Sequence, residues 1–435
     1  MSAFRFSDSD GSILHAPEFH YRGEALKHYS PLSTMNPSKW RTQASGLNMR
    51  RSATCNSSMS IMGSMPRAHG PASNWIALLG RGEANADGVQ DYCEYLGRAL
   101  EQHGVGLNPV RVDWARKGWW SALLELRREC KAWQGQWILL QFTALAWSRH
   151  GIPLGALAVL AIVRRSGARC AVVYHEPFSP EATNWLDHVR YTFQEWTIRK
   201  IYDSAMKNIF PEPLPRIRWL PQGASKAQFI PIGANIPERR PAVNARSSEN
   251  SGPKTVAVFC LTGMPYLRDE LKDISEAARK AIEDGARFRM LFLGRGTSEA
   301  REEITRSFKD VPVDVSTLGL LDAAQISDIL AQSDAMLCVR GRIYHRRGSA
   351  IAGIACGLPI VGYAGETNGT LLDNAGLVLV PYRDGRAAGA ALSRILQDAD
   401  FRHELREKSL RAHQKYFSWT LIASAFVEFL ESVQP

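Results

Sequence analysis

The stretch that decides the fold runs from Ser333 to Glu366, SDAMLCVRGRIYHRRGSAIAGIACGLPIVGYAGE. Ala335 to Val339 is a short apolar run, Ser349 to Cys356 is small and apolar with Gly357 behind it, and Leu358 to Tyr363 is a second apolar run. That pattern predicts a strand, a helix closed by glycine and a second strand, which together make a βαβ unit. Arg340, Arg342, Arg346 and Arg347 stand between the first strand and the helix, and Gly348 and Ser349 open the helix. A helix N-terminus offers free N–H groups and the positive end of its dipole, so arginines gathered there predict a phosphate site. A basic surface loop with Ser349 as an ordinary capping residue is the plainer alternative.

Working outward, the same alternation fills the C-terminal half. Strands are expected at Thr255 to Leu261, Phe288 to Leu293, Val313 to Leu318 and Leu377 to Val380. Helices are expected at Asp269 to Asp284, Glu299 to Lys309, Asp322 to Ser333, Arg386 to Leu396, Phe401 to Lys415 and Thr420 to Val433. Gly263 lies in the loop after the first of these strands, and Gly294 ends the second. The preceding half begins with the apolar run Trp75 to Gly80, a glycine-containing loop up to Gly88 and a helix over Val89 to His103. It continues with strands at Leu107 to Val112, Trp137 to Phe142 and Cys170 to Tyr174, and helices at Trp119 to Ala132 and Pro153 to Arg164. Trp185 to Met206 reads as a long helix whose aromatic residues pack inward, and Leu220 to Pro237 as short strands.

Strands and helices in this rhythm predict an α/β protein of two tandem Rossmann-like, doubly wound domains facing a cleft. The boundaries are a flexible extension over 1–73, a first domain over 74–237, a linker over 238–253 and a second domain over 254–416. A final helix over 417–435 is expected to pack back on the first domain. Side chains just beyond strand ends line ligand crevices in such sheets, which makes His175 and Glu176 candidate catalytic residues. The alternative is that they only satisfy loop backbone groups. Neither half carries a G-x-G-x-x-G or P-loop pattern, so dinucleotide binding and nucleotide hydrolysis lose their main sequence support.

Composition narrows the partners. The 435-residue chain is 45% hydrophobic and 22% charged with a net charge of +10, which is globular and suited to anionic partners. The basic residues are spread out with no nucleic-acid-binding motif, so nucleic acid is not expected as a partner. The seven cysteines are scattered without a CxxC pair, which argues against a disulfide framework or a zinc site. No secretory leader is evident and the apolar run Gly151 to Val163 is too short to span a bilayer. A cytoplasmic location is expected, with attachment to the inner face of a membrane left open.

At this point the chain resembles a family. Val256 to Gly263, Leu291 to Gly296, Leu318-Gly319 followed by Ile326 to Asp334, and Ala355 to Val361 are similar in order and spacing to the donor domain of retaining glycosyltransferases of the family-4 type, which have the two-domain GT-B fold. Gly88 to Tyr92 and Tyr174 to Pro177 resemble acceptor-domain features, so the likeness covers about residues 75 to 430. The resemblance implies a nucleotide-sugar donor in the second domain, a glycan or lipid-linked acceptor in the first, and no cofactor or obligatory metal. It implies diphosphate binding by Arg346, Arg347, Gly348 and Ser349 with Gly263, Arg268, Lys272 and Gly294, an acceptor loop at Gly88, and His175 near the donor sugar. The chain departs from the family at its paired glutamates, where Tyr344 and Ala352 stand instead. A working variant with altered donor contacts, a nucleotide-sugar epimerase of the same architecture and a non-catalytic binding protein are the readings this leaves open.

Overall fold

The computed structural model describes residues 5–7, 13–15, 73–82, 87–177, 185–239, 253–264, 266–365 and 371–432. The expected extension and most of the expected linker lie outside the described residues, apart from a short antiparallel pairing of Arg5–Ser7 with Ile13–His15.

The first sheet contains β1 (Ser73–Leu79), β2 (Val105–Arg111), β3 (Trp137–Phe142), β4 (Arg169–Tyr174), β5 (Lys207–Phe210) and β6 (Ala227–Phe229). They pair all-parallel in the order β2-β1-β3-β4-β5-β6. Both faces are covered, which is why β3 up to Leu140 and β4 after Arg169 read as apolar runs. Ile76, Leu78, Ile138, Leu140 and Val172 face α2 (Trp119–Glu129), α3 (Leu154–Arg165) and α4 (Trp185–Ser204). The alternate residues Trp75, Ala77, Leu79, Leu139 and Val173 face α1 (Gly88–Leu100) and the C-terminal helix α11 (Trp419–Glu431).

The second sheet contains β7 (Lys254–Phe259), β8 (Phe288–Leu293), β9 (Asp314–Gly319), β10 (Ala335–Arg342), β11 (Ile360–Tyr363) and β12 (Leu377–Val380). These are also parallel, in the order β9-β8-β7-β10-β11-β12. One face is covered by α5 (Leu267–Glu283), α6 (Arg301–Ser307) and α9 (Gly385–Gln397). The other carries α7 (Ala323–Gln332), α8 (Gly348–Ala355) and the end of α10 (Ala399–Ala412). Two parallel sheets with interleaved helices are the expected architecture.

Three readings are corrected. β5 was not expected, because a strand beginning Lys-Asn looks like surface. Lys207 is nevertheless buried, and its Nζ donates to the Ser432 carbonyl at 2.9 Å, to Ser432 Oγ at 2.7 Å and to the Phe429 carbonyl, closing the end of α11. The short strands expected over Leu220 to Pro237 reduce to Ala227–Phe229, since Pro231 has no N–H to continue a ladder. This segment instead joins the two halves: Ile230 enters the first core and Ala234 and Ile236 the second. The aromatic face of α4 is the third correction. Trp185, Val189, Phe193 and Trp196 are exposed, not packed.

Candidate functional site

In the second sheet the strand order reverses between β7 and β10, and the carboxyl edge at such a reversal is where doubly wound sheets place ligand crevices. Just past β7, Cys260 adopts a left-handed φ of 66°, rare for a non-glycine residue, and its amide is held by the Leu293 carbonyl at 2.9 Å. The Thr262 amide donates to the buried carboxylate of Glu270 at 2.8 Å, leaving Gly263 exposed at the loop tip. Gly294, at φ 87°, lies so close that a Cβ would fall 2.8 Å from the Phe259 ring and 2.9 Å from the Cys260 sulfur. Its place is a close backbone approach beneath the crevice.

From the end of β10 onward the arginines divide. Arg342 turns back into the fold, donating to the Ala364 carbonyl at 2.8 Å with its guanidinium 4.5 Å from the Tyr382 ring. Arg346 and Arg347 lie over the Tyr344 ring, at 4.9 and 5.1 Å, and Arg347 donates to the Arg342 carbonyl at 3.3 Å. Arg347 is the N-cap residue of α8, and no side chain caps this helix. Ser349 does not fill that role; its hydroxyl lies 3.9 Å from the Cys338 sulfur. A Cβ on Gly348 would meet nothing within 4 Å, so the first turn of α8 faces open space. Free amides, an arginine at the cap and room in front of them suit an anion.

The two halves meet over this loop. Glu212, just beyond β5, has a side chain 7% exposed, and its Oε2 is 3.3 Å from Nε2 of His345 and 3.4 Å from Nε of Arg346. His345 is 1% exposed; its pairing with Glu212 is within ion-pair range, but neither ring nitrogen has hydrogen-bond alignment. Arg216 approaches the other carboxylate oxygen at 3.7 Å, and Phe229 packs edge-on to His345. Glu176, half-buried, feels the same arginine: burial raises its carboxyl above the usual range while Arg346 pulls it down. On the other side, burial with Glu94 and Asp87 beside it raises the Asp91 carboxyl of α1, and Arg295 from the loop after β8 opposes the rise.

The structure therefore gathers Gly263, Gly294, Arg346, Arg347, Gly348 and Ser349 at one sheet edge, with Glu176 facing Arg346. Arg268 and Lys272 are exposed four residues apart on one side of α5, near its start after the Gly263 loop. His175 is held within the first half. It is buried, its Nε2 is 2.9 Å from Oε1 of Gln141, and the Tyr92 ring meets it edge-on at 5.0 Å. Burial lowers its pKa to about 4, so near neutral pH it is uncharged. Gly88 begins α1 with Asp87 as its cap, and its carbonyl accepts from Nδ2 of Asn235 at 2.9 Å. A cavity of about 460 Å³ lies nearby, lined by Arg81, Gln90, Arg111 and Arg116 among others, but by none of the α8 residues. Its arginines are partly engaged, Arg111 with Asp87 at 2.8 Å and Arg116 with Asp113 at 2.7 Å.

Sequence reasoning missed Glu212, Glu270 and the Tyr344 platform. Glu212 had a usable signal, since it follows a strand end, but β5 itself went unread.

Neither a protein-family model nor a curated protein matches the chain by sequence. Solved structures do match by fold. Sucrose-phosphate synthase from Thermosynechococcus elongatus is similar over 82% of this chain and 98% of its own, with 17% identity and a TM-score of 0.58. HepE from Anabaena, solved in complex with UDP and glucose, is similar over 83% of this chain and 100% of its own, at 15% identity and a TM-score of 0.58. A glycosyltransferase from Rickettsia africae covers 83% of this chain and 99% of its own, at 11% identity and a TM-score of 0.61. At these identities the likeness establishes the fold, the GT-B arrangement of two Rossmann-like halves.

Proposed function

We propose that the chain is a glycosyltransferase that takes a sugar from a nucleotide-sugar donor, a retaining and metal-independent variant of the family-4 type acting in glycan assembly. The observation that carries this reading is the uncapped start of α8, with Arg347 at the cap and open space before Gly348, at the reversal point of the second sheet. HepE, of the same fold, was solved with UDP and glucose, which supports a sugar nucleotide as the anion.

In the proposed reaction the bond between the anomeric carbon and the diphosphate oxygen breaks, and the electron pair leaves with the diphosphate. Arg347 and the α8 amides meet that charge as it develops, which lowers the barrier more than it tightens the ground state. The acceptor hydroxyl bonds to the anomeric carbon on the face that the diphosphate leaves, which retains the configuration, and loses its proton. Glu176, whose carboxyl burial raises, is the group we assign to receive it. His175 supports the first-half wall and keeps its neutral ring on Gln141. Arg268, Lys272 and Gly263 extend the donor side, and the Gly88 loop faces the acceptor.

Tyr344 and Ala352 occupy the positions of the family's glutamates. Tyr344 carries the two arginines, while Ala352 is buried in α8 and offers no polar atom. That last point favours a second reading, a binding protein of the same fold without turnover. The test is incubation with UDP-, GDP- and ADP-sugars, with and without a cell-envelope acceptor extract, followed by product analysis. Transferred or hydrolysed sugar supports the transferase, binding without products supports the second reading, and an altered sugar on intact nucleotide indicates an epimerase. Failure of every nucleotide to bind refutes all of them.

A further inference from the structure

The helices α2, α3 and α4 form one layer over the first sheet, and the outer surface of that layer is apolar where solvent should favour charge. On α4, Trp185, Val189, Phe193 and Trp196 recur at helical spacing along one face, and Trp185, Phe193 and Trp196 are 71%, 55% and 48% exposed. The stripe spans roughly 16 Å of helix. It continues onto the neighbouring helices. Gly155, at the start of α3, lies against the Trp119 ring of α2, and Gly151 lies against the Arg190 guanidinium of α4. Trp120, at the start of α2, and Leu154, at the start of α3, are exposed as well. All three helices follow the carboxyl ends of β2, β3 and β4, so the start of the α4 stripe lies toward the sheet edge that carries His175 and Glu176.

Exposed tryptophans and phenylalanine in one stripe bind poorly to water, and an indole prefers the headgroup level of a bilayer. The charges around them favour one kind of bilayer. Arg149 just before α3, Arg164 and Arg165 at its end and Lys200 on α4 are exposed on this helix layer; of the acids on α4, Glu195 pairs with Arg199 at 2.7 Å and Asp187 lies in the first turn. The chain as a whole carries +10. Among the described residues no helix is long and apolar enough to cross a membrane, so contact would be from one side.

We propose that the outer face of α4, with the starts of α2 and α3, is a docking surface for an anionic lipid bilayer. The aromatic side chains enter the headgroup region and the arginines meet lipid phosphates. A membrane on this face lies along the helix layer of the first half, beside the start of α4 and the carboxyl edge that it follows. If the transferase reading holds, the acceptor is then a lipid-linked molecule; the docking surface itself does not depend on that reading.

The test is co-flotation of the full chain with vesicles of phosphatidylcholine alone and of phosphatidylcholine with phosphatidylglycerol, without any nucleotide sugar. The wild type is expected to float with the anionic vesicles, and less so as salt is raised. The double variant Trp185→Ser/Phe193→Ser is expected to bind at least about tenfold more weakly, as burying one such side chain contributes that much. Circular dichroism and thermal unfolding confirm that the variant is folded. Absence of flotation, equal binding to neutral vesicles or unchanged binding of the double variant would overturn the proposal. So would a wild-type dimer in sedimentation velocity that the double variant dissolves, since the face would then join two copies.

Discussion

Replacing Glu212 with glutamine removes a carboxylate that lies within ion-pair range of both His345 and Arg346 while keeping the side chain's shape. At 3.4 Å, with the effective dielectric of about 20 that suits partly buried pairs, the attraction to Arg346 is about 5 kcal/mol before desolvation is counted. Breaking a buried pair by removing one partner typically costs about 3–5 kcal/mol, because the other charge stays buried. Glu176 remains near Arg346 and offsets part of the loss, and the off-line geometry at His345 limits what is lost there. We expect a loss of about 3 kcal/mol, at the lower end of that range. The loop also carries Arg347, so its release should weaken UDP-sugar binding together with stability. Urea unfolding followed by tryptophan fluorescence gives the first quantity and calorimetric titration with UDP-glucose the second. If Glu212→Gln unfolds within about 0.5 kcal/mol of the wild type, the level of an ordinary surface substitution, the clasp between the halves contributes nothing and the reasoning fails.

Further substitutions separate folding from binding. Arg347→Ala should weaken nucleotide-sugar binding by about 1.5–3 kcal/mol in titration, the range for hydrogen bonds to a charged group; unchanged affinity removes it from the site. Gly348→Ala meets no atom within 4 Å, so thermal unfolding should be unchanged or raised by up to about 1 kcal/mol, while nucleotide affinity falls if phosphate fills that space. Gly294→Ala adds a Cβ at a left-handed φ against Phe259 and Cys260, and a loss of at least about 2 kcal/mol is expected in the same assay. For His175 the folded pKa of about 4 lies below its ordinary value, so the unfolded chain binds the extra proton first. Its contribution of about 3 kcal/mol is present above about pH 6.5 and lost as pH falls toward 4. Unfolding free energies measured across that window should show a slope that His175→Gln flattens.

The fold was legible because both sheets are parallel and covered on both faces. Strands such as β3 and β8 are then mostly apolar, with Gln141 and Arg289 as their polar members, and the helices between them are amphipathic, so the rhythm appears in the chain itself. β5 was illegible because Lys207 is a polar residue made internal by acceptors 222 and 225 residues away, at Phe429 and Ser432. The exposed stripe of α4 was misread for a related reason. Aromatic residues at helical spacing mark a face, but which face meets a core depends on the neighbours α3 and β4 supply.

The same division runs through the site. The sequence by itself determined that a basic loop precedes a glycine-started helix after a late strand, because those residue types have few other uses in that order. It also showed Tyr344 and Ala352 where acids were expected. Only the tertiary structure decided that Arg342 turns inward to Ala364, that Tyr344 carries Arg346 and Arg347, and that Glu212 from the other half grips the loop. Local preferences set which backbone groups are free. Which charges meet is set by distances between strands far apart in the chain, and those exist only once both sheets have closed on each other.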